Sequence, residues 1–137
     1  MIVWSTRQAG PVGDFSDETS TDIGVDWRPA LDIYETAGEF LLVLCVPGVG
    51  ADDLDLSVLG STITISGRRV TALPAKVRAV HLESSRGRFL RRLRLPATAD
   101  VDAIDTHLAN GQLVVRVPKR SEGPRRVLVS VVEDGSG

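Results

Sequence analysis

Asn110-Gly111 constrains this chain more than any other pair of neighbours. A two-residue hairpin turn needs successive residues at φ > 0, and Asn-Gly accepts that most readily. In the strand that follows, Leu113, Val115 and Val117 share one face because side chains alternate with a period of two. Pro118 stops the strand, having no N–H to give to a ladder. Residues 104–108 and 112–117 therefore read as a hairpin that closes a β domain.

The same alternation runs back through the chain to Trp27. Leu31 and Ile33 alternate with Asp32 and Tyr34, and Leu54, Leu56 and Val58 with Asp53, Asp55 and Ser57, giving one dry and one wet face each. Phe40 to Val46 is apolar at every position and reads as a central strand buried on both sides, broken at Pro47-Gly48. Gly60-Ser61 turns the chain into β-branched Thr62 to Ile65, and Gly67 closes that strand. Residues 68–83 form a basic excursion with an apolar patch near Val77 to Leu82, and Phe89 to Leu95 is a strand ended by Pro96. About seven or eight short strands and no convincing amphipathic helix predict an all-β, immunoglobulin-like two-sheet β-sandwich. It spans residues 27–118. A flexible N-terminal arm (1–26) precedes it, lacking a sustained period and carrying apolar islands at Ile2, Val3, Trp4, Phe15 and Ile23. A Gly- and charge-rich C-terminal extension (119–137) follows, with Val127-Leu128-Val129 as its apolar exception.

With 137 residues the chain has the length of one domain. No apolar run approaches the roughly 18 residues that span a bilayer, and no basic segment leads into an apolar stretch as in a secretory signal, so neither a membrane nor a secretory route is expected. Cys45 is the single cysteine, which excludes an internal disulfide framework and suits a reducing cytoplasm; its apolar strand reads it as an inert small hydrophobe. Charge is sorted along the chain: residues 31–67 hold six acids and no base, whereas residues 68–96 hold nine Lys or Arg against Glu83. Such asymmetry fits either a nucleic-acid surface or acidic and basic segments facing each other. The second is favoured, since Phe89 alone offers a base something to stack on, and no nucleic-acid partner is expected. Phosphate-binding glycine loops, a metal-ligand cluster and a nucleophile turn are all missing from the sequence, so neither a cofactor nor an enzymatic activity is expected. Asp100, Asp102 and Asp105 lack the spacing of a calcium loop.

Arg91 stands out on physical grounds. Alternation puts it on one face with Phe89, Leu93 and Leu95, where a charge is costly unless a carboxylate pairs with it. The alternative is a side chain that snorkels out at the sheet edge.

Several ordered motifs resemble the α-crystallin domain of small heat-shock proteins of bacterial type (the Hsp20 family). They are Val46-Pro47-Gly48-Val49 with Asp52-Asp53-Leu54, the stretch Leu54 to Gly67, Gly87 to Pro96 (GRFLRRLRLP), and Asn110 to Lys119. Gln112, Thr106 and Ser84 depart from the family pattern. The resemblance implies a dimer made by strand exchange, with Arg78 to Glu83 leaving the excursion to pair with Leu31 to Tyr34 of a neighbour. Leu31, Ile33, Arg78, His81, Glu83 and Arg91 would form that interface; the alternative for the excursion is a plain surface loop. It also implies that Val127 and Val129 anchor the tail in a neighbour's groove drawing on Leu54, Leu56, Val58, Ile104 and Leu108, with Val129-x-Val131 as a second register. Burial of two Val side chains is worth roughly 1.5–3 kcal/mol each before ordering costs, so one tail releases readily and a larger oligomer depends on many.

The implied function is that of an ATP-independent holdase. It binds partly unfolded clients under stress through Ile2, Val3, Trp4, Phe15 and Ile23, prevents their aggregation and passes them to ATP-driven chaperones. The alternative is a p23-like co-chaperone that docks on a larger ATPase chaperone.

Overall fold

Alternation and turn chemistry produce two four-stranded antiparallel sheets packed face to face. The computed structural model describes residues 15–20, 24–121 and 128–131. Its strands are β1 (Ser16–Asp17), β2 (Leu31–Glu35), β3 (Glu39–Cys45), β4 (Leu54–Leu59), β5 (Thr62–Arg69), β6 (Gly87–Arg94), β7 (Asp105–Ala109) and β8 (Gln112–Pro118). One sheet has the order β1-β6-β5-β4 and the other β2-β3-β8-β7. Short 3₁₀ turns at Ala51–Asp53 and Val101–Ala103 lead into β4 and β7. The predicted all-β immunoglobulin-like sandwich is thus the fold observed.

The opening turn behaves as its dipeptide requires: Asn110 and Gly111 both have positive φ, at 53° and 75°. This sets the register of β7 on β8, with Leu108 opposite Leu113 and Thr106 opposite Val115. Gln112 and Thr106, the departures from the family pattern, are both exposed.

The core comes from the facing sides of the two sheets. Leu42 and Leu44 on β3 and Val115 and Val117 on β8 meet Ile63 and Ile65 on β5 and Phe89 and Leu93 on β6. Trp27 closes one margin of this core: its ring meets Phe89 edge-on at 5.2 Å and its Nε1 donates to the Gly87 carbonyl at 3.0 Å. Gly67 is needed where β5 crosses this layer, because a Cβ there would collide with the Asp53 carbonyl and the Phe89 ring.

Four expectations change. β3 is buried on one face only; Phe40, Leu42 and Leu44 point inward, Leu41 and Val43 are half-buried, and Cys45 is exposed. A two-layer sandwich has a single core, so an all-apolar strand here is covered sideways by its neighbours and not by a third layer. Tyr34 and Arg116 flank Leu41, while Asp32 and Val114 flank Val43. Cys45 is therefore an exposed thiol, not a packed one.

β5 runs on to Arg69, two residues past the expected stop at Gly67, because β6 begins at Gly87 and pairs with it along its whole length. The excursion consequently covers residues 70–86 and contains no strand. Part of the expected arm is also structured: Ser16 and Asp17 pair with Arg94 and Leu93 of β6, and Phe15 enters the core.

Candidate self-association and client-binding surfaces

Three surfaces gather most of the residues singled out above. The first is the outer edge of β2. Leu31 and Ile33 turn their half-buried side chains into the sandwich, and among the described residues β2 has a strand neighbour only in β3. An uncovered edge offers backbone N–H and C=O groups to another chain.

Residues 70–86 carry an apolar series, Val70, Leu73, Val77, Val80 and Leu82, all exposed. Within it His81 Nε2 lies 3.1 Å from Glu83 Oε2, so these two side chains share one side of the segment. Arg78 is exposed in the same stretch. His81 and Glu83 are thus brought together, Arg78 is not shown in contact with either, and the segment forms no strand beside Leu31 and Ile33 of its own chain.

The second surface surrounds Arg91, which the fold buries to 7% exposure. Its Nη2 donates to Asp17 Oδ2 at 3.0 Å, its Nη1 to the Pro29 carbonyl at 2.9 Å and its Nε to Thr19 Oγ1 at 3.2 Å. Arg28 also pairs with Asp17. The expected carboxylate partner therefore exists and comes from the arm. Burial pulls the Arg91 guanidinium below its ordinary value, and the Asp17 charge works against that. Partial burial pushes the Asp17 carboxyl up. Hydrogen bonds from Thr19 and the charges of Arg91 and Arg28 outweigh this and hold it below the usual carboxylate range.

Phe15, expected in a free arm, lies in the core, with its ring edge-on to Phe40 at 5.0 Å and 89°. Ile2, Val3, Trp4 and Ile23 lie outside the described residues.

The third surface is the opposite margin of the sandwich, where β4 and β7 are the edge strands of their sheets. Leu54, Leu56, Ile104 and Leu108 pack against the core while staying partly open, and Val58 is exposed beside them. The fold thus gathers residues from two distant segments into one apolar margin. Val129 is 87% exposed, with Leu128 and Val131 exposed beside it, so these tail residues are not seated in a groove of their own chain. Val127 lies outside the described residues.

The basic segment divides by face. Arg91 points inward, whereas Arg68, Arg88, Arg92 and Arg94 share the outer face of their sheet. Arg94 Nε reaches Glu18 Oε1 at 3.6 Å, so with Asp17 two acids of the arm face this strand. Among the described residues no three His, Cys, Asp or Glu side chains cluster as metal ligands. Asp100 instead accepts from the Asp102 N–H at 3.2 Å and caps a 3₁₀ turn. No helix among them is long and apolar enough to cross a membrane.

Sequence reasoning missed Asp17, Thr19, Arg28 and Pro29. The signal was present as alternation of Phe15, Asp17 and Thr19 on one side of an extended segment. Two paired residues are too short a strand to be legible against a polar background.

An antiparallel sandwich with this strand order, an uncovered β2 edge and an apolar margin between β4 and β7 is that of an α-crystallin-type domain. A model of the Hsp20/alpha crystallin family matches residues 32–130. The solved small heat-shock protein of Xylella fastidiosa superposes with a TM-score of 0.68 at 31% identity, over 78% of this chain and 100% of that one. The hspA of Xanthomonas axonopodis gives 0.61 at 33% identity, over 69% and 95%. Small heat shock protein C2 of Rickettsia felis is 32% identical over 99 residues, 72% of this chain and 64% of that protein. The chain spans 58% of the related C4 protein and 62% of spore protein SP21 of Stigmatella aurantiaca. This chain belongs to the Hsp20/alpha crystallin family.

Proposed function

We propose that this protein is an ATP-independent chaperone of the holdase kind, which binds partly unfolded proteins under stress and keeps them from aggregating. The observation that carries the reading is exposed apolar surface on a family-typical sandwich: the series in residues 70–86 and the margin formed by Leu54, Leu56, Val58, Ile104 and Leu108. Such surface calls for a partner and requires no catalytic group.

Self-association uses the same surfaces. Residues 78–83 of one chain pair with the β2 edge of another, adding a strand beside Leu31 and Ile33 and covering the apolar side chains of both. Arg91 lies at the foot of this interface, since its Pro29 acceptor lies two residues before the start of β2. The tail, through Val127 and Val129, enters the β4–β7 margin of a further chain. Neither step involves a nucleotide, metal, nucleic acid or membrane. Released clients pass to ATP-driven chaperones, and a lone exposed thiol fits a reducing cytoplasm.

The test is light scattering by a heat-labile client protein, with the chain added and ATP omitted. Suppression that rises with the chain-to-client ratio is expected. Unchanged aggregation at equimolar or higher ratio overturns the reading.

A further inference from the structure

The seat of Phe15 to Thr19 is more general than the segment that fills it. It offers three things to an extended chain. An opening in the core beside Phe40 takes an aromatic ring, here Phe15. Two positions on, the guanidinium groups of Arg91 and Arg28 take a carboxylate, here Asp17. The β6 backbone supplies the rest: the Glu18 N–H donates to the Arg92 carbonyl at 2.8 Å, and the Arg92 N–H donates to Thr19 Oγ1 at 2.9 Å. Ser16 faces solvent, and Glu18 is engaged only through Arg94 at 3.6 Å and through its backbone. The recognised pattern is an aromatic residue, any residue, then an acid, held as an added strand.

The occupant is lightly held. β1 pairs through two residues only, and the Asp17 side chain stays 40% exposed. Segments with so few ladder bonds open locally far below the cost of global unfolding. An empty seat is unfavourable, however, because Arg91 would remain buried without its carboxylate. Opening therefore favours replacement over vacancy.

We propose that this seat is a client-binding site: residues 15–19 occupy it in the resting chain as a substitute, and an unfolded segment carrying an aromatic residue two positions before a carboxylate displaces them. The proposal rests on the chaperone reading for the nature of the incoming chain; the seat itself does not depend on it.

Locking the seat tests both parts. Ser16 and Arg94 lie opposite each other with exposed side chains, and antiparallel partners are about 4.5–5.5 Å apart at Cα, within disulfide reach. The full chain carrying S16C and R94C, with C45S to remove the native thiol, is compared oxidised and reduced. The oxidised form is expected to suppress client aggregation at least fivefold less than the reduced form, with recovery on adding reductant. Equal suppression by the two forms overturns the client site.

A fluorescent peptide of residues 14–20 provides the second readout. It is expected to bind the reduced chain and not the oxidised one, with a D17N version of the peptide about tenfold weaker. Equal affinity of the two peptides, or no binding at millimolar concentration, overturns the recognition pattern. If neither form of the chain suppresses aggregation, the chaperone reading fails on its own, and the peptide result still decides whether the seat exchanges its occupant.

Discussion

Arg91 illustrates how a sandwich tolerates a charge in its interior. The guanidinium replaces water with a carboxylate, a carbonyl and a hydroxyl, all drawn from residues 17–29. Removing the carboxylate alone leaves the charge buried, so D17N is expected to destabilise the protein. A hydrogen bond to a charged group is typically worth about 1.5–3 kcal/mol, and the solvent exposure of Asp17 brings the expected loss to about 1 kcal/mol. Its pH dependence has a definite sign. The carboxyl is held below its ordinary value of 3.8 in the folded chain, so its contribution is complete above that pH and vanishes as pH falls through the lower, folded value. Denaturant unfolding of wild type and D17N should therefore differ at pH 7 and converge in strong acid. A gap that persists undiminished into strong acid, or one that widens on acidification, contradicts the ion-pair account.

At the scale of elements, the strands with strong signals were legible. Asn110-Gly111 fixed one hairpin, Gly60-Ser61 another, and alternation identified β2, β4 and β6 because each has one wet face. β3 was located but its burial was misjudged: composition records how apolar a strand is, not how many layers lie above it. β1 was illegible because its stability comes from Phe15 against Phe40 in the core and from Asp17 on Arg91, the latter 74 positions away, contacts that no local pattern records. The margin between β4 and β7 followed from the family resemblance and not from any local pattern. In the proposed dimer, residues 70–86 supply the exchanged strand. They form no strand in the single chain, so V80P should leave its thermal unfolding nearly unchanged while preventing addition to the β2 edge, where a proline removes a ladder donor. Light scattering coupled to gel filtration is expected to give half the dimer mass for V80P. A mass equal to that of the wild type excludes strand exchange through this segment.

Across the whole molecule, charge and apolar surface are divided between inside and outside in a way that favours assembly. Acids of the arm neutralise part of the basic strand, leaving a net charge of −2 and little long-range repulsion between copies. Apolar side chains stay exposed in residues 70–86 and partly open on the edge strands β4 and β7, the surfaces that the proposed contacts with two neighbours use. In the proposed tail contact each tail is individually weak: two Val side chains contribute at most roughly 3–6 kcal/mol before ordering costs. Cutting the chain after Lys119 is accordingly expected to reduce any larger oligomer to dimers without loss of β structure by circular dichroism. A particle of undiminished mass assigns assembly to other surfaces. The central claim is that the chain holds unfolded proteins without nucleotide, and native mass spectrometry of the chain heated with a labile client tests it most directly. The account predicts mixed complexes containing both proteins, formed equally with and without ATP. Free chain beside aggregated client, or complexes that appear only with ATP, would contradict it.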